Sequence, residues 1–203
     1  MNSRLDPCSA DAFEVRYQEH PDPWNFATSP YERDRYGATL AALGRHRFDT
    51  AYEPGCSIGE LTAQLATRCE WVLATDISPS AVARARARCA GLPNVAVRCA
   101  AVESGVPAPD VPARDIPVPD WDLIVFSELG YYFSAARLCA LAGQLASRLR
   151  SDGEFLAVHW LGHSTDHVLH GTDVHRILRV TLPLTHVRAQ AHEGFLIDVW
   201  VKP

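Results

Sequence analysis

The sequence predicts an α/β fold, a doubly wound seven-stranded mostly parallel sheet with an antiparallel C-terminal strand. Short apolar segments alternate with helical patterns along the chain, as they do when helices cover both faces of a parallel sheet. The run that begins at Trp121 is nearly all apolar until Ser127 and Glu128, as expected of a central strand buried on both faces. Glu193-Gly194 resembles a hairpin turn, so the last two strands should be antiparallel.

Helix and turn signals place the elements along the chain. Pro30 precedes a stretch in which Tyr36, Leu40 and Leu43 recur at helical spacing, so the first helix is expected there and the preceding residues are expected to be mobile. Ser57 is expected to cap the next helix. The predicted helices are residues 31–47, 58–69, 80–90, 134–149 and 172–180. The predicted strands are residues 48–53, 71–75, 95–99, 121–128, 154–160, 184–191 and 195–201.

Length and composition limit the class of protein. The 203 residues suit a single domain, 1–203, with an N-terminal lid and helix at 1–47 and a core at 48–203. A net charge of −5 does not favour nucleic acid as a partner, and no stretch reaches the roughly 18 apolar residues of a membrane span. Six cysteines without a Cys-x-x-Cys pair, and a start without a signal core, indicate a cytoplasmic protein. Five prolines within 103–119 predict a surface excursion.

A loop of small residues follows the first strand. Ligands of doubly wound sheets bind at the carboxyl ends of the strands, and there the sequence reads Glu53-Pro54-Gly55-Cys56-Ser57-Ile58-Gly59. Gly55, Ser57 and Gly59 allow the backbone to approach a ligand closely. Their spacing differs from the Gly-x-Gly-x-x-Gly dinucleotide fingerprint, which argues against a nicotinamide cofactor and an oxidoreductase.

An acidic residue, Asp76, ends the second strand. In nucleoside-binding α/β folds a carboxylate at this point bonds the ribose hydroxyls. Alternatively, Asp76 caps the helix that starts near Pro79, although Ser78 is better placed for that role. The loop and the acid together indicate a cofactor that contains a nucleoside.

These residues resemble the motifs of class I S-adenosylmethionine-dependent methyltransferases, which also end the fourth strand in a polar residue. The sequence departs from them at the middle glycine, which is Ser57, and at the acid after the third strand, which is Ala101. A closer resemblance, over nearly the whole chain, is to the nodulation protein S family. The segments that carry it are Asp22-Pro23-Trp24, residues 28–33, 55–59, 76–79, 127–132 and 157–160.

The resemblance implies a Rossmann-like methyltransferase fold, S-adenosylmethionine as cofactor and a small-molecule acceptor. The founding member of the family N-methylates an amino sugar at the end of a deacetylated chitooligosaccharide, so an amine acceptor is expected. In the family the N-terminal segment folds over the cofactor. Arg33 is then expected to pair with the methionine carboxylate or, alternatively, with Glu32 or Asp34 at the surface. The expected cofactor-binding residues are Trp24, Tyr31, Arg33, Glu53, Gly55, Cys56, Ser57, Gly59, Asp76, Ile77, Ala101, Val102 and Ser127.

Two residues at strand ends are candidates for the chemistry. Glu128 follows the fourth strand and is expected to hold an ammonium acceptor, or alternatively to cap or salt-bridge near the helix that begins at about Ser134. His159 is expected to accept a proton or orient the acceptor, or alternatively to be a hydrogen-bonded core histidine. Tyr131 and Tyr132 are expected to contact the acceptor or simply to pack, and Trp160 is also expected to bind the acceptor.

Five histidines crowd the segment 159–175, but their spacing gives no firm ligand geometry. No metal is therefore expected, and activity is predicted to be independent of metal ions. An O-methyltransferase on the same fold and a non-catalytic S-adenosylmethionine-binding protein are the alternatives. Neither the acceptor nor the oligomeric state follows from the sequence.

Overall fold

The computed structural model describes residues 6–105 and 120–203, so most of the predicted surface excursion, residues 106–119, lies outside the described residues. The strands are β1 Phe48–Pro54, β2 Cys69–Asp76, β3 Val95–Cys99, β4 Trp121–Ser127, β5 Leu149–Trp160, β6 Thr185–His192 and β7 Phe195–Val201. The helices are α1 Ala10–Glu19, α2 Pro30–Ala42, α3 Glu60–Leu65, α4 Pro79–Arg88, α5 Ala135–Ser147 and α6 Gly171–Thr181. Short 3-10 turns lie at Val102–Ser104 and Gly130–Tyr132.

The strands form one sheet in the order β3-β2-β1-β4-β5-β7-β6. β1 is parallel to β2 and β4, β2 to β3, and β4 to β5, whereas β7 is antiparallel to β5 and to β6. The predicted doubly wound sheet with an antiparallel C-terminal strand is therefore confirmed. Because the order reverses between β1 and β4, their carboxyl ends open a crevice, where ligands bind in such sheets.

Strand β4 shows how the sheet is packed. Leu123 and Val125 belong to the core shared with α2 and α3, while Ile124 and Phe126 belong to the core shared with α5 and α6. This alternation is the period of two that a strand imposes. Both sets are fully buried, which explains why the strand reads as one apolar run rather than as an alternating pattern.

Helix α1 contradicts the expectation of a mobile start. Ser9 caps it by accepting a hydrogen bond from the amide of Ala12, and Tyr17 is its one buried residue. A helix that buries a single side chain has no apolar period, so the pattern of its sequence does not reveal it. None of the helices within residues 6–105 and 120–203 has the length and apolarity needed to span a bilayer.

Three predicted boundaries also change. Helix α3 begins at Glu60 with Gly59 at its N-cap, so the expected cap Ser57 was wrong, because its side chain is used elsewhere. Helix α2 ends at Ala42 because Leu43 is extended. Strand β5 begins at Leu149, since the break expected at Asp152-Gly153 is a bulge within the strand rather than a loop before it.

Candidate active site

A cavity of about 430 Å³ lies at the carboxyl ends of the central strands, beneath α1 and α2. Its walls combine aromatic side chains with carboxylates and small loop residues, which is typical of a ligand site. The sequence-predicted site residues that line it are Trp24, Tyr31, Glu53, Gly55, Cys56, Ser57, Asp76, Ile77, Ser127, Glu128, Tyr131, Tyr132 and Trp160.

Five predicted site residues do not line this cavity. Arg33 is exposed on the outer face of α2, and Gly59 lies behind the loop at the start of α3. Val102 is buried in the core against α5 and Ala101 is half-buried beside it. His159 is fully buried behind the cavity wall. The structure thus brings most of the predicted set together and leaves these five outside.

The loop after β1 owes its shape to three left-handed residues. Gly55, Ser57 and Gly59 have φ angles of 73°, 51° and 84°, a region that glycine adopts at little cost. Ser57 stands where the methyltransferase motif has a glycine, and it keeps the same conformation. A Cβ at Gly59 would lie 3.1 Å from the backbone of Ala85, so this glycine lets α3 pack closely on α4. Gly59 therefore shapes the loop without lining the cavity.

Asp76 clamps this loop to the end of β2. Its Oδ2 accepts a hydrogen bond from the amide of Ser57 at 2.9 Å, and its Oδ1 accepts one from the amide of Ser78 at 2.9 Å. Ser78, not Asp76, caps α4 by accepting from the amide of Ala81. Burial raises the pKa of Asp76, and the backbone hydrogen bonds partly offset that rise. The carboxylate therefore faces the cavity with its position fixed by the backbone.

Glu53 is a buried carboxyl without a cationic partner among the described residues. Thr62 Oγ1 donates to its Oε2 at 2.6 Å. Burial raises the pKa of Glu53 to about 8, and the nearby charge of Asp76 adds to the effect. A ligand that brought an ammonium group to this wall would supply the missing counter-charge.

Replacing Glu53 by Gln is expected to flatten the dependence of thermal stability on pH. The native carboxyl keeps its proton up to about pH 8, whereas the unfolded one loses it near 4.5. The native state therefore binds more protons between these values, so stability falls as pH rises from about 5 to about 8. Glu53→Gln cannot ionise and should lose less melting temperature over this range than the wild type. Scanning fluorimetry measures this, with exposed Glu19→Gln as control. If the melting temperature changed equally with pH in wild type, Glu53→Gln and Glu19→Gln, the raised pKa of Glu53 would be contradicted.

The cation of the cavity wall is Arg35, a residue that the sequence reasoning missed. Its side chain is 1% exposed and pairs with two carboxylates, Glu32 on α2 and Glu128 after β4. Its Nη1 lies 2.5 Å from Glu128 Oε1 but has no hydrogen-bond acceptor in good geometry among the described residues. Along α2 the residues Glu32, Arg35, Tyr36 and Thr39 are buried while Arg33 faces solvent. That helical period is the signal that could have selected Arg35.

Glu128 is held from three sides. Its backbone has a φ of 54°, and its Oε1 accepts the amide of Trp160 at 2.7 Å beside the Arg35 pair. Its Oε2 accepts the hydroxyl of Tyr131 at 2.7 Å. Glu128 thus forms a salt bridge, as the alternative prediction stated, but its partner lies on α2 and not near the helix that begins after Ser134. Two carboxylates share one guanidinium, so the cluster of Glu32, Arg35 and Glu128 has one excess negative charge.

His159 belongs to a buried chain of polar contacts behind the cavity wall. Its Nε2 accepts the amide of Gly130 at 3.0 Å, and its Nδ1 lies 3.3 Å from Nε2 of His175. His175 in turn lies 2.7 Å from a carboxylate oxygen of Asp198. Burial lowers the pKa of His159 well below its usual value, and His175 adds to the effect. With its lone pair already bonded to Gly130 and no face on the cavity, His159 holds the Gly130–Tyr132 turn in place; its predicted proton-accepting role does not fit this geometry.

The N-terminal segment covers the cavity from above. Tyr17 donates to Ser57 Oγ at 2.5 Å, and Trp24 packs edge-on against Tyr17. Glu14 accepts hydrogen bonds from Ser78 and Ser80 at the start of α4, which lower the pKa of Glu14 to about 2. On the other side Arg16 forms a salt bridge with Asp166 at 2.6 Å. Helix α1 is thus anchored at both sides of the cavity, and its role as a lid stays a prediction.

The histidine-rich segment near the cavity shows no arrangement of metal ligands among the described residues. Within residues 6–105 and 120–203 no three His, Cys, Asp or Glu side chains come together as ion ligands would. The histidines of the segment 159–175 instead stack on aromatic rings, as His167 does on Tyr131, or bond to backbone and carboxylate groups. Independence of metal ions stays a prediction.

Comparison with known proteins places the chain in a family. The profile of the family described as Nodulation protein S (NodS) matches residues 12–169, well over half of the chain. The Nodulation protein S of Bradyrhizobium diazoefficiens is 32% identical over 135 residues, which are 64% of this chain and 59% of that protein. The Rhizobium tropici protein is 35% identical over 68 residues, 33% of this chain and 29% of that protein. The chain thus spans about three fifths or less of the length of these relatives.

Solved structures agree on the fold. A putative methyltransferase from Pseudomonas syringae superposes with a TM-score of 0.69 at 36% identity, covering 85% of this chain and 99% of that one. The N-methyltransferase NodS from Bradyrhizobium japonicum WM9, in complex with S-adenosyl-L-homocysteine, superposes with a TM-score of 0.77 at 22% identity, covering 96% and 98%. The match of the family profile to residues 12–169 extends from helix α1 through the loop after β1 to the histidine segment. The chain therefore belongs to the Nodulation protein S family.

Proposed function

We propose that this protein is an S-adenosylmethionine-dependent methyltransferase that transfers a methyl group to an amine of a small molecule. The observation that carries the proposal is the left-handed loop of Gly55, Ser57 and Gly59 clamped to Asp76 at one end of a covered cavity. The relatives' names support it, since one solved NodS is an N-methyltransferase with bound S-adenosyl-L-homocysteine.

The cavity wall fits the cofactor in charge and in hydrogen bonding. Asp76 is placed to accept the ribose hydroxyls, as carboxylates at this strand end do. Arg35 Nη1 lies against Glu128 Oε1 without a well-aligned hydrogen bond, so this guanidinium suits a cofactor carboxylate, and the unpaired carboxyl of Glu53 suits an ammonium group. Arg35 thus takes over the role that the sequence assigned to Arg33. Neither Ala101 nor Val102 lines the cavity, so a contact with adenine in this region would involve atoms other than their side chains.

The charge of the cavity favours a cationic acceptor. Among the described residues that line it, five are carboxyl side chains and one is a guanidinium: Glu32, Glu53, Glu60, Asp76, Glu128 and Arg35. Even with Glu53 protonated near neutral pH, the other carboxylates outnumber the guanidinium. Such a wall attracts an ammonium ion and repels a phosphate, which supports a small amine rather than nucleic acid as the acceptor. The volume of about 430 Å³ leaves space for a small acceptor beside the cofactor.

The proposed chemistry is a single displacement. Bound S-adenosylmethionine supplies a methyl group that is already activated, so the protein has to align an unprotonated acceptor nitrogen with it. Glu128 binds and orients the acceptor, while Tyr131, Tyr132 and Trp160 form the wall against which it lies. Helix α1 excludes water from this space, which strengthens the electrostatic interactions inside. We also propose a cytoplasmic location, supported by six cysteines without a disulfide.

Binding of S-adenosyl-L-homocysteine tests the cofactor assignment. Calorimetry should show that wild type binds it and does not bind NAD. Asp76→Ala should weaken binding by about 1.5–3 kcal/mol, the usual contribution of hydrogen bonds to a charged group. Asp76→Asn keeps an acceptor for the Ser57 amide, so its affinity should lie between those of wild type and Asp76→Ala. The exposed variant Asp34→Ala should bind like wild type. Absence of binding by the wild type would refute the proposal.

A screen for methyl transfer tests the acceptor. Amino sugars and small amines are incubated with S-adenosylmethionine, and the products are examined by mass spectrometry for a gain of one methyl group. We expect methylation on nitrogen. Methylation confined to hydroxyl compounds would overturn the amine assignment, and cofactor binding without any transfer would indicate a binding protein.

A further inference from the structure

The cavity wall contains a half-buried histidine, His167. His167 follows β5 in the histidine-rich segment and lies on the cavity wall with Tyr131, Tyr132 and Trp160. Its ring stacks on Tyr131 with centroids 3.8 Å apart and planes 16° apart. Tyr132 and Trp160 meet its ring edge-on at 5.3 Å and 6.1 Å. Three aromatic contacts therefore fix the plane of this imidazole at the acceptor end of the cavity.

We propose that His167 is the general base that removes the proton from the bound ammonium acceptor before methyl transfer. The inference rests on the proposed function, since it presumes an amine as acceptor. Its ring nitrogens form no hydrogen bond with any described residue, so the neutral ring keeps a lone pair that can accept a proton. A catalytic base needs such a lone pair within reach of the proton that it takes.

The charges around His167 keep it able to accept a proton. Burial lowers the pKa of His167 from its ordinary value, while Asp166 and Glu128 raise it and Arg16 and His170 lower it. Tyr131 and Tyr132 face the ring as neutral phenols, because burial raises the pKa of both. The imidazole is therefore mostly neutral near pH 7, as a base must be, and a protonated form is stabilised by two carboxylates.

The other candidate bases of the cavity are already engaged. Glu128 accepts hydrogen bonds from Trp160 and Tyr131 and pairs with Arg35. Tyr131 donates its hydroxyl to Glu128, so the phenol is a donor at this point. His163 also borders the cavity, but it is exposed and its ring lies against His170. Among the described residues that line the cavity, His167 combines a ring fixed by aromatic contacts with partial exposure, from which a proton can return to water.

The step balances without any further reactant. The neutral His167 nitrogen takes one proton from the acceptor ammonium, giving an imidazolium and a neutral amine. The amine nitrogen then attacks the methyl carbon; the N–C bond forms as the C–S bond breaks, and the electron pair of that bond stays on sulfur. The imidazolium afterwards releases its proton to solvent through the half-buried edge of the site.

His167→Gln tests the proposal by kinetics with D-glucosamine as the probe acceptor. Turnover at pH 7 should fall on the order of 10²-fold, the usual scale for loss of a general base. The deficit should shrink as pH rises, because more of the amine is already neutral, and added imidazole should restore part of the rate of His167→Ala. The affinity for S-adenosyl-L-homocysteine should not change. Exposed His192→Gln is the matched control and should keep the wild-type rate.

A second measurement does not depend on turnover. In histidine-labelled protein saturated with S-adenosyl-L-homocysteine, the ring resonance lost in His167→Gln should titrate with pH and shift when D-glucosamine is added. A resonance that D-glucosamine leaves unmoved, or a variant with the wild-type rate and pH profile, would overturn the assignment. So would a loss that appears in His163→Gln instead. If wild type methylates no amine at all, the proposed function fails, whereas a wild-type enzyme with an equally active His167→Gln variant removes only this inference.

Discussion

Replacing Arg35 by Met is expected to destabilise the protein and to abolish tight binding of the cofactor. Met has a similar length but no charge, so Glu32 and Glu128 would remain in a buried cluster without their counter-ion. Removing one partner of a buried ion pair typically costs about 3–5 kcal/mol. Loss of charge-assisted hydrogen bonds to the cofactor carboxylate should weaken the binding of S-adenosyl-L-homocysteine by roughly 10–100-fold. Urea denaturation measures the first effect and calorimetry the second.

The neighbouring Arg33 provides the matched control. It lies on the same helix, two positions earlier, but faces solvent. Arg33→Met should change stability by less than about 0.5 kcal/mol and affinity by less than about twofold, as exposed substitutions usually do. Arg35→Lys keeps the charge and should recover much of the stability, which separates charge from shape. If Arg33→Met lost cofactor affinity and Arg35→Met did not, the assignment of the cation would return to Arg33.

The sheet and its ligand edge could be predicted because their signals are local. An apolar run on each central strand, a loop of small residues after β1 and an acid after β2 occupy a few adjacent positions each. The structure adds why the loop needs them: Gly55, Ser57 and Gly59 are left-handed, and Asp76 holds the middle one through its amide. Serine at that middle position keeps the fold of the motif, so the departure from glycine does not remove the loop.

The choice between Arg33 and Arg35 depends on the phase of a helix rather than on a motif. Both arginines follow the same aromatic and acidic residues, and only the rotation of α2 against β7 decides which one is buried. The burial of His159 away from the cavity could not be predicted, for a different reason. Its partners are the backbone of Gly130 and the ring of His175, which connects to Asp198 on β7, and no local pattern joins these segments. Helix α1 was missed because Tyr17 is its one buried side chain, so its sequence shows no apolar period.

Glu128→Gln is expected to reduce turnover on the order of 10²-fold or more while leaving S-adenosyl-L-homocysteine affinity within about threefold. The amide keeps the shape of the side chain, so its oxygen can still accept the Trp160 amide and its nitrogen can face Tyr131. What the change removes is the excess negative charge of the cluster that Glu32 and Glu128 form around Arg35.

That charge should act on the acceptor and hardly on the cofactor. An ammonium ion that approaches a positive sulfonium is repelled, and a carboxylate at the acceptor end offsets the repulsion. Steady-state kinetics with an amine acceptor measures turnover, calorimetry measures affinity, and exposed Asp34→Asn on α2 is the control, which should behave like wild type. A Glu128→Gln enzyme that methylates its acceptor at the wild-type rate would leave Glu128 with a purely structural role in the Arg35 cluster. The amine assignment would then depend on the remaining carboxylates of the wall alone.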